Sequence, residues 1–154
     1  MSGFLRSRRE DNHRSWAVFY PDAAEPMDCI GLVSLSFCPD DRGGQWELGY
    51  LFRPRAWGQG FATESCKAAI EILARDYANR QVIVRAAVDI ANRRSLRVLA
   101  KLGFKFNEHK VFGGPKRFLG GDWRPHEILF FVKELRCPEI VAGETVMAGS
   151  VEVG

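Results

Sequence analysis

Between Glu47 and Glu64 the chain reads ELGYLFRPRAWGQGFATE, an alternating run that gives way to a glycine-marked loop and then to a helical pattern. A loop that opens straight into a helix leaves the first backbone N–H groups unpaired, here those of Gly58 to Thr63, and the helix dipole adds positive potential there. Such a turn binds anions, and the missing β-carbons of Gly58 and Gly60 let a pyrophosphate approach the backbone. The segment lacks the Lys-Ser/Thr of a nucleotide-hydrolysing P-loop. It also lacks the third glycine and the early strand–helix–strand placement of a dinucleotide fingerprint. Cys29, Cys38, Cys66 and Cys137 are scattered, with no C-x-x-C and no histidine at zinc-finger spacing. They read as buried or idle thiols of a reducing cytosol, with Cys66 as an acyl-carrying nucleophile the sharper alternative.

The elements that must position this loop follow from periodicity. Ser15–Tyr20 reads as a short strand and Cys29–Phe37 as a second. Pro39–Gly44 is a turn by composition, so Gln45–Phe52 should return as the other arm of a hairpin, with Trp46, Leu48, Tyr50 and Phe52 on one face and Glu47, Gly49 and Leu51 on the other. From Ala62, apolar residues at Cys66, Ala69, Ile70, Leu73 and Tyr77 keep the spacing of one helix face. Gln81–Val88 reads as an interior strand. Asn92 suits the N-cap of a helix through Leu102, with Gly103 as its left-handed stop. Phe104–Lys110 and Glu127–Lys133 complete the strands around a Gly/Pro-rich loop, Gly113–Pro125. The expected architecture is α/β: a mixed, mostly antiparallel sheet flanked by helices.

Trp57-Gly58-Gln59-Gly60-Phe61-Ala62-Thr63-Glu64, followed by Asn92-x-x-Ser95 and by Lys101-Leu102-Gly103-Phe104, resembles the GNAT superfamily of acyl-CoA-dependent N-acetyltransferases. Within it the chain looks most like the branch containing the ribosomal-protein N-terminal acetyltransferases RimJ and RimL. The resemblance runs from Cys29 to Glu134. The superfamily pattern, Gln or Arg, two residues, Gly, one residue, then Gly or Ala, falls on Trp57, Gly60 and Ala62 when fixed to the helix start. Trp replaces Gln/Arg there, as this branch often has it. A second register, Arg55, Gly58 and Gly60, sits two residues early.

The resemblance implies acetyl-CoA as co-substrate, no metal, and a set of roles. The amides of Gly58, Gln59, Gly60, Phe61, Ala62 and Thr63 would cradle the CoA pyrophosphate. Leu51 and Phe52 would pair their backbone with the pantetheine arm, and Asn92 would hydrogen-bond that arm, a plain N-cap being the alternative. Glu47 is the candidate base that frees the amine of its proton, against a cross-strand salt bridge; His109 and His126 are the other candidates. The Tyr that many members carry seven residues after the Asn is Leu99 here, which leaves Ser95 as the local proton donor. With no GxSxG, direct transfer in a ternary complex is expected.

The family pattern begins with a strand and two helices that form much of the acceptor pocket. Only Met1–Arg14 precedes the segment like Ser15–Tyr20, so the expectation is an N-terminally shortened fold, with the first strand absent and Met1–Arg14 the end of the second helix. The gap would be left open, filled by another chain or by the Ile140–Val153 tail, or the protein would be inactive. An edge exposed in this way invites a homodimer by strand addition.

The chain's 154 residues, 46% hydrophobic and 27% charged, suit one globular domain over residues 1–137 with a flexible tail over 138–154. No run approaches the ~18 apolar residues of a membrane span, and the Arg-rich N-terminus lacks the apolar stretch of a secretory signal, so a cytoplasmic protein is expected. Net charge is +3; the tail from Pro138 carries three glutamates and no lysine or arginine, leaving +6 on the rest. That suits an anionic ligand, and less specifically a nucleic-acid contact through the Arg-rich start and Arg93, Arg94 and Arg97. The leading function is acetyl transfer to a protein N-terminus or small-molecule amine, with an inactive CoA-binding or sensing module as the alternative.

Overall fold

The computed structural model describes residues 5–10, 12–21, 28–78, 80–113 and 125–136. The expected tail over 138–154, Cys137 and most of the Gly113–Pro125 loop lie outside them. The described strands are β1 (Leu5–Glu10), β2 (His13–Phe19), β3 (Cys29–Cys38), β4 (Gln45–Phe52), β5 (Gln81–Asp89), β6 (Lys105–Phe112) and β7 (His126–Arg136), and the helices are α1 (Phe61–Asp76) and α2 (Arg93–Lys101). The strands form one sheet in the order β1-β2-β3-β4-β5-β7-β6. Every pairing is antiparallel except β4 with β5. The mixed, mostly antiparallel architecture expected from the sequence is the one observed.

The N-terminus corrects the sequence reading. Leu5–Glu10 is a strand, not a helix end, and it pairs with β2 from Leu5↔Val18 to Glu10↔His13. β1 is thus the antiparallel neighbour of β2, and the edge expected beside β2 is covered. The edges of the described sheet are β1 and β6.

The core explains the hairpin and the helices. Trp16, Val18, Val33, Leu35, Trp46 and Leu48 are buried on one face of β2–β4, and α1 lays Phe61, Cys66, Ala69, Ile70 and Leu73 against them. Each fully buried aliphatic side chain contributes about 1.5–3 kcal/mol. The Trp46↔Val84 pairing puts Val82, Val84, Ala86 and Val88 of β5 on the same face, where α2 adds Leu99 and the following Leu102 and Phe104. Asp40 Oδ1 accepts from the N–H groups of Arg42 and Gly44, both at 2.8 Å, and holds the β3–β4 turn. Gly31 of β3 is required sterically: a β-carbon there would lie 2.3 Å from the Phe52 ring.

Both described helices thus cover one face. On the other, Leu32 and Leu51 are exposed, and Glu47 and Arg85 are part-exposed. Among the described residues no helix is long and apolar enough to cross a membrane.

Candidate active site

The decisive feature is how little β4 and β5 pair. They meet only at Trp46↔Val84 and Glu47↔Arg85 and then diverge. Arg53 N–H donates to Ile30 O at 2.8 Å, so the alternation of an antiparallel ladder turns the backbone of Leu51 and Gly49 to β3 and that of Leu48, Tyr50 and Phe52 toward the gap. Of the two residues expected to meet a pantetheine arm through their backbone, Phe52 is aimed to do so through its N–H, its carbonyl being held by the Trp57 indole N–H. Leu51 spends its backbone on β3 and offers an exposed side chain instead.

Above the gap, a short 3-10 turn over Pro54–Ala56 leads to Gly58 (φ 75°) and Gly60 (φ 87°), both left-handed positions that favour glycine. Gly60 is the N-cap of α1, with no side chain capping it, and the first bond closing the helix runs from Glu64 N–H to Gly60 O. The amides of Phe61, Ala62 and Thr63 therefore sit at an uncapped, positively polarised end. They open on a cleft of about 500 Å³ lined by β4, this loop and one side of α2 along its length.

The structure brings most of the expected residues to that cleft. Leu51, Phe52, Trp57, Gly58 and Gly60 line it, as do Phe61, Ala62 and Thr63 of α1 and Asn92 and Ser95 of α2. Gln59 does not; its side-chain amide folds back to Arg55 O at 2.6 Å. Asn92 caps α2, its Oδ1 accepting from Ser95 N–H at 3.1 Å, and the same residue borders the cleft. Trp57 is fixed by its indole N–H to Phe52 O at 2.8 Å, with the Arg94 guanidinium 4.4 Å over its ring.

Glu47 stands apart, on the sheet face away from the helices, where it is the last rung before β4 and β5 separate. Arg85 Nε and Nη2 hold its Oε2 at 2.9 and 2.7 Å. The cross-strand ion pair weighed at the sequence level is thus present, in part-exposed surroundings where such pairs contribute little to stability. His109 pairs with Glu127 at 2.8 Å and His126 stacks on Phe112, both on the β6–β7 arm and away from the cleft. Cys66 is fully buried and burial pushes its thiol up to about 12, which removes it as an acyl carrier. Among the described residues no three His, Cys, Asp or Glu side chains are grouped to hold a metal.

Sequence reasoning missed two features. Arg94, Arg97 and Lys101 are exposed and also border the cleft, and their spacing of three and four residues already placed them on one side of α2. Tyr50 also lines it, its hydroxyl 3.4 Å from Ser95 O. A tyrosine in a row of core residues must find a partner for its O–H, which was the available signal.

Unpaired helix-end amides, a basic α2 face and a split sheet edge together fit an elongated ligand with phosphates at one end and an amide-bearing arm at the other. They define an acyl-CoA-type transferase fold. Residues 1–105 match the family model described as the acetyltransferase (GNAT) domain, and the chain belongs to that family. A Bacillus subtilis (strain 168) protein, YkkB, is 35% identical over 63 residues, which is 40% of this chain and 35% of that protein's length. A GNAT-family acetyltransferase from Streptococcus pneumoniae superposes with a TM-score of 0.64 at 16% identity, over 82% of this chain and 68% of that one. The ribosomal-protein-S5-alanine acetyltransferase of Vibrio fischeri gives 0.63 at 20% identity, over 80% of this chain and 62% of its own. The chain thus spans only about a third of the curated relative that it matches.

Proposed function

We propose that the protein transfers the acetyl group of acetyl-CoA directly to a primary amine, a protein N-terminus or a small-molecule amine, as a RimJ/RimL-like member of its family. The uncapped start of α1 facing the β4–β5 cleft carries this reading. The amides of Gly58 to Thr63 and the cations of Arg94, Arg97 and Lys101 would hold the phosphates, and Asn92 with the edges of Tyr50 and Phe52 would align the arm. Acetyl-CoA supplies the activated acyl group, and cleft-facing N–H groups of β4 would stabilise charge developing on its carbonyl oxygen. The amine approaches from the sheet face that carries Glu47, the side opposite the helices. The three described cysteines are free thiols, in keeping with a reducing, cytoplasmic setting. Strand addition at β1 or β6 is the route by which a homodimer would form.

Titration calorimetry tests the reading. Acetyl-CoA is expected to bind more tightly than free adenine nucleotides and to raise Tm; no rise at millimolar ligand would count against it. Thiol release over a panel of peptides, polyamines, amino acids and aminoglycosides then identifies the acceptor.

The Glu47–Arg85 pair favours one second reading, a CoA-binding module without turnover. Glu47→Gln separates the two. If the carboxylate takes the amine's proton, kcat at neutral pH should fall about 100-fold with the acetyl-CoA Kd unchanged. Turnover equal to wild type would eliminate Glu47 as base, and no turnover in wild type with any amine would leave the binding module.

A further inference from the structure

We infer that the acceptor is a primary amine on an apolar body that carries no second cation, a substrate class that rests on the acetyl transfer proposed above. The floor on which the amine must stand is apolar. β4 is the fourth of the seven described strands, yet its Leu51, which borders the cleft, is 74% exposed. Beside it, its cross-strand partner Leu32 of β3 is 46% exposed. Both lie on the face away from the helices, the face that carries Glu47. Across the fork between β4 and β5, the exposed Ala87 stands on that same face, next to the half-buried Phe130 of β7. Leucines exposed side by side in the middle of a sheet, and continuous with a cleft, mark a surface that a ligand covers.

Among the described residues, the carboxylates of this face around the fork are already engaged. Arg85 holds Glu47, Lys110 holds Glu108 at 3.1 Å, and Asp89 Oδ1 accepts from the Ala91 N–H at 2.8 Å. Lys110 also stands 5.4 Å over the Phe130 ring, so the far wall of the fork presents a cation. A polyamine or aminoglycoside laid across this floor would bring its further ammonium groups to leucine, alanine and a lysine-capped ring. They would lose hydration there without gaining an ion pair. An alkyl or aryl group beside the nitrogen instead removes Leu32 and Leu51 from water. The reaction itself is unchanged. The amine nitrogen bonds to the acyl carbon, the C–S bond breaks with its electron pair on sulfur, and the two protons shed by the ammonium pass to sulfur and to solvent.

Two matched pairs of acceptors test the class. Hexylamine is compared with hexamethylenediamine, and a tripeptide amide beginning with leucine with one beginning with lysine; the pair that is turned over tells a free amine from a peptide N-terminus. In that pair the apolar member should lead by about 10- to 100-fold in kcat/KM. Leu32→Asp places a carboxylate on the floor and should narrow the ratio about 10-fold, with the acetyl-CoA Kd as in wild type. A cationic member used by wild type as well as its apolar counterpart overturns the assignment and leaves the transferase reading standing. So does a ratio unmoved by Leu32→Asp in a variant whose Tm and acetyl-CoA Kd match wild type. Wild type that binds acetyl-CoA but acetylates no amine would instead defeat the transferase reading, and this assignment with it.

Discussion

Replacing Ala62 by proline should weaken acetyl-CoA binding by about 10- to 100-fold while leaving Tm within a few degrees of wild type. Ala62 is the second residue of α1, inside the first turn, where no backbone N–H has a partner within the helix. Proline at such a position breaks no existing hydrogen bond and is tolerated in the first turn. What it deletes is one donor aimed at the ligand, and a hydrogen bond to a charged acceptor is worth about 1.5–3 kcal/mol. Calorimetry with acetyl-CoA reads the loss directly. A substitution of Ala62 by serine serves as the control, because it changes the side chain and keeps the amide. Equal affinities for the proline and serine variants would show that the helix start does not bind the pyrophosphate.

The largest loss of stability should come from Asp76→Ala, about 3–5 kcal/mol by urea denaturation. Arg14 of β2 is 5% exposed, an unusual burial for a guanidinium. Its Nη1 lies 2.6 Å from Asp76 Oδ2 at the end of α1, and its charge sits 5.2 Å over the Trp46 ring and 5.9 Å from that of Tyr77. Its Nε finds no partner among the described groups. Removing the carboxylate strands a buried cation, whereas removing Arg14 leaves a carboxylate that water can reach, since the Asp76 side chain is 31% exposed. The asymmetry is the check: Arg14→Met, which keeps an apolar stem over the two rings, should cost less than Asp76→Ala, and the double variant should recover part of the loss. Additive effects would mean that the two residues act independently.

How much of this was legible in the sequence depends on where each signal lives. Strands that bury one face declared themselves: Gln45–Phe52 alternates, and β4 has those bounds. The starts of α1 and α2 were marked by Gly60 and Asn92, which are their N-caps. β1 was missed because LRSRRE has a single apolar residue and no period; its strand form comes from pairing with β2, which no local pattern encodes. Glu47 was recognised as facing away from the core, but its partner Arg85 lies 38 residues on, across the one parallel strand pairing of the sheet. The left-handed loop before α1 was readable from its glycines, whereas the position of Arg94 and Arg97 beside it depended on how α2 docks at the cleft.

The donors that this cleft presents are largely main chain: amide hydrogens at the start of α1 and along the diverging edge of β4. Backbone N–H groups are common to every residue but proline, so mutation can rewrite the side chains around them without removing the donors. A pocket specified this way tolerates wide evolutionary drift, provided that the left-handed turn and the parted strands survive. Such a fold can be kept in backbone geometry after the letters have been replaced, and the structures that share it at 16% and 20% identity agree in fold while differing at most positions.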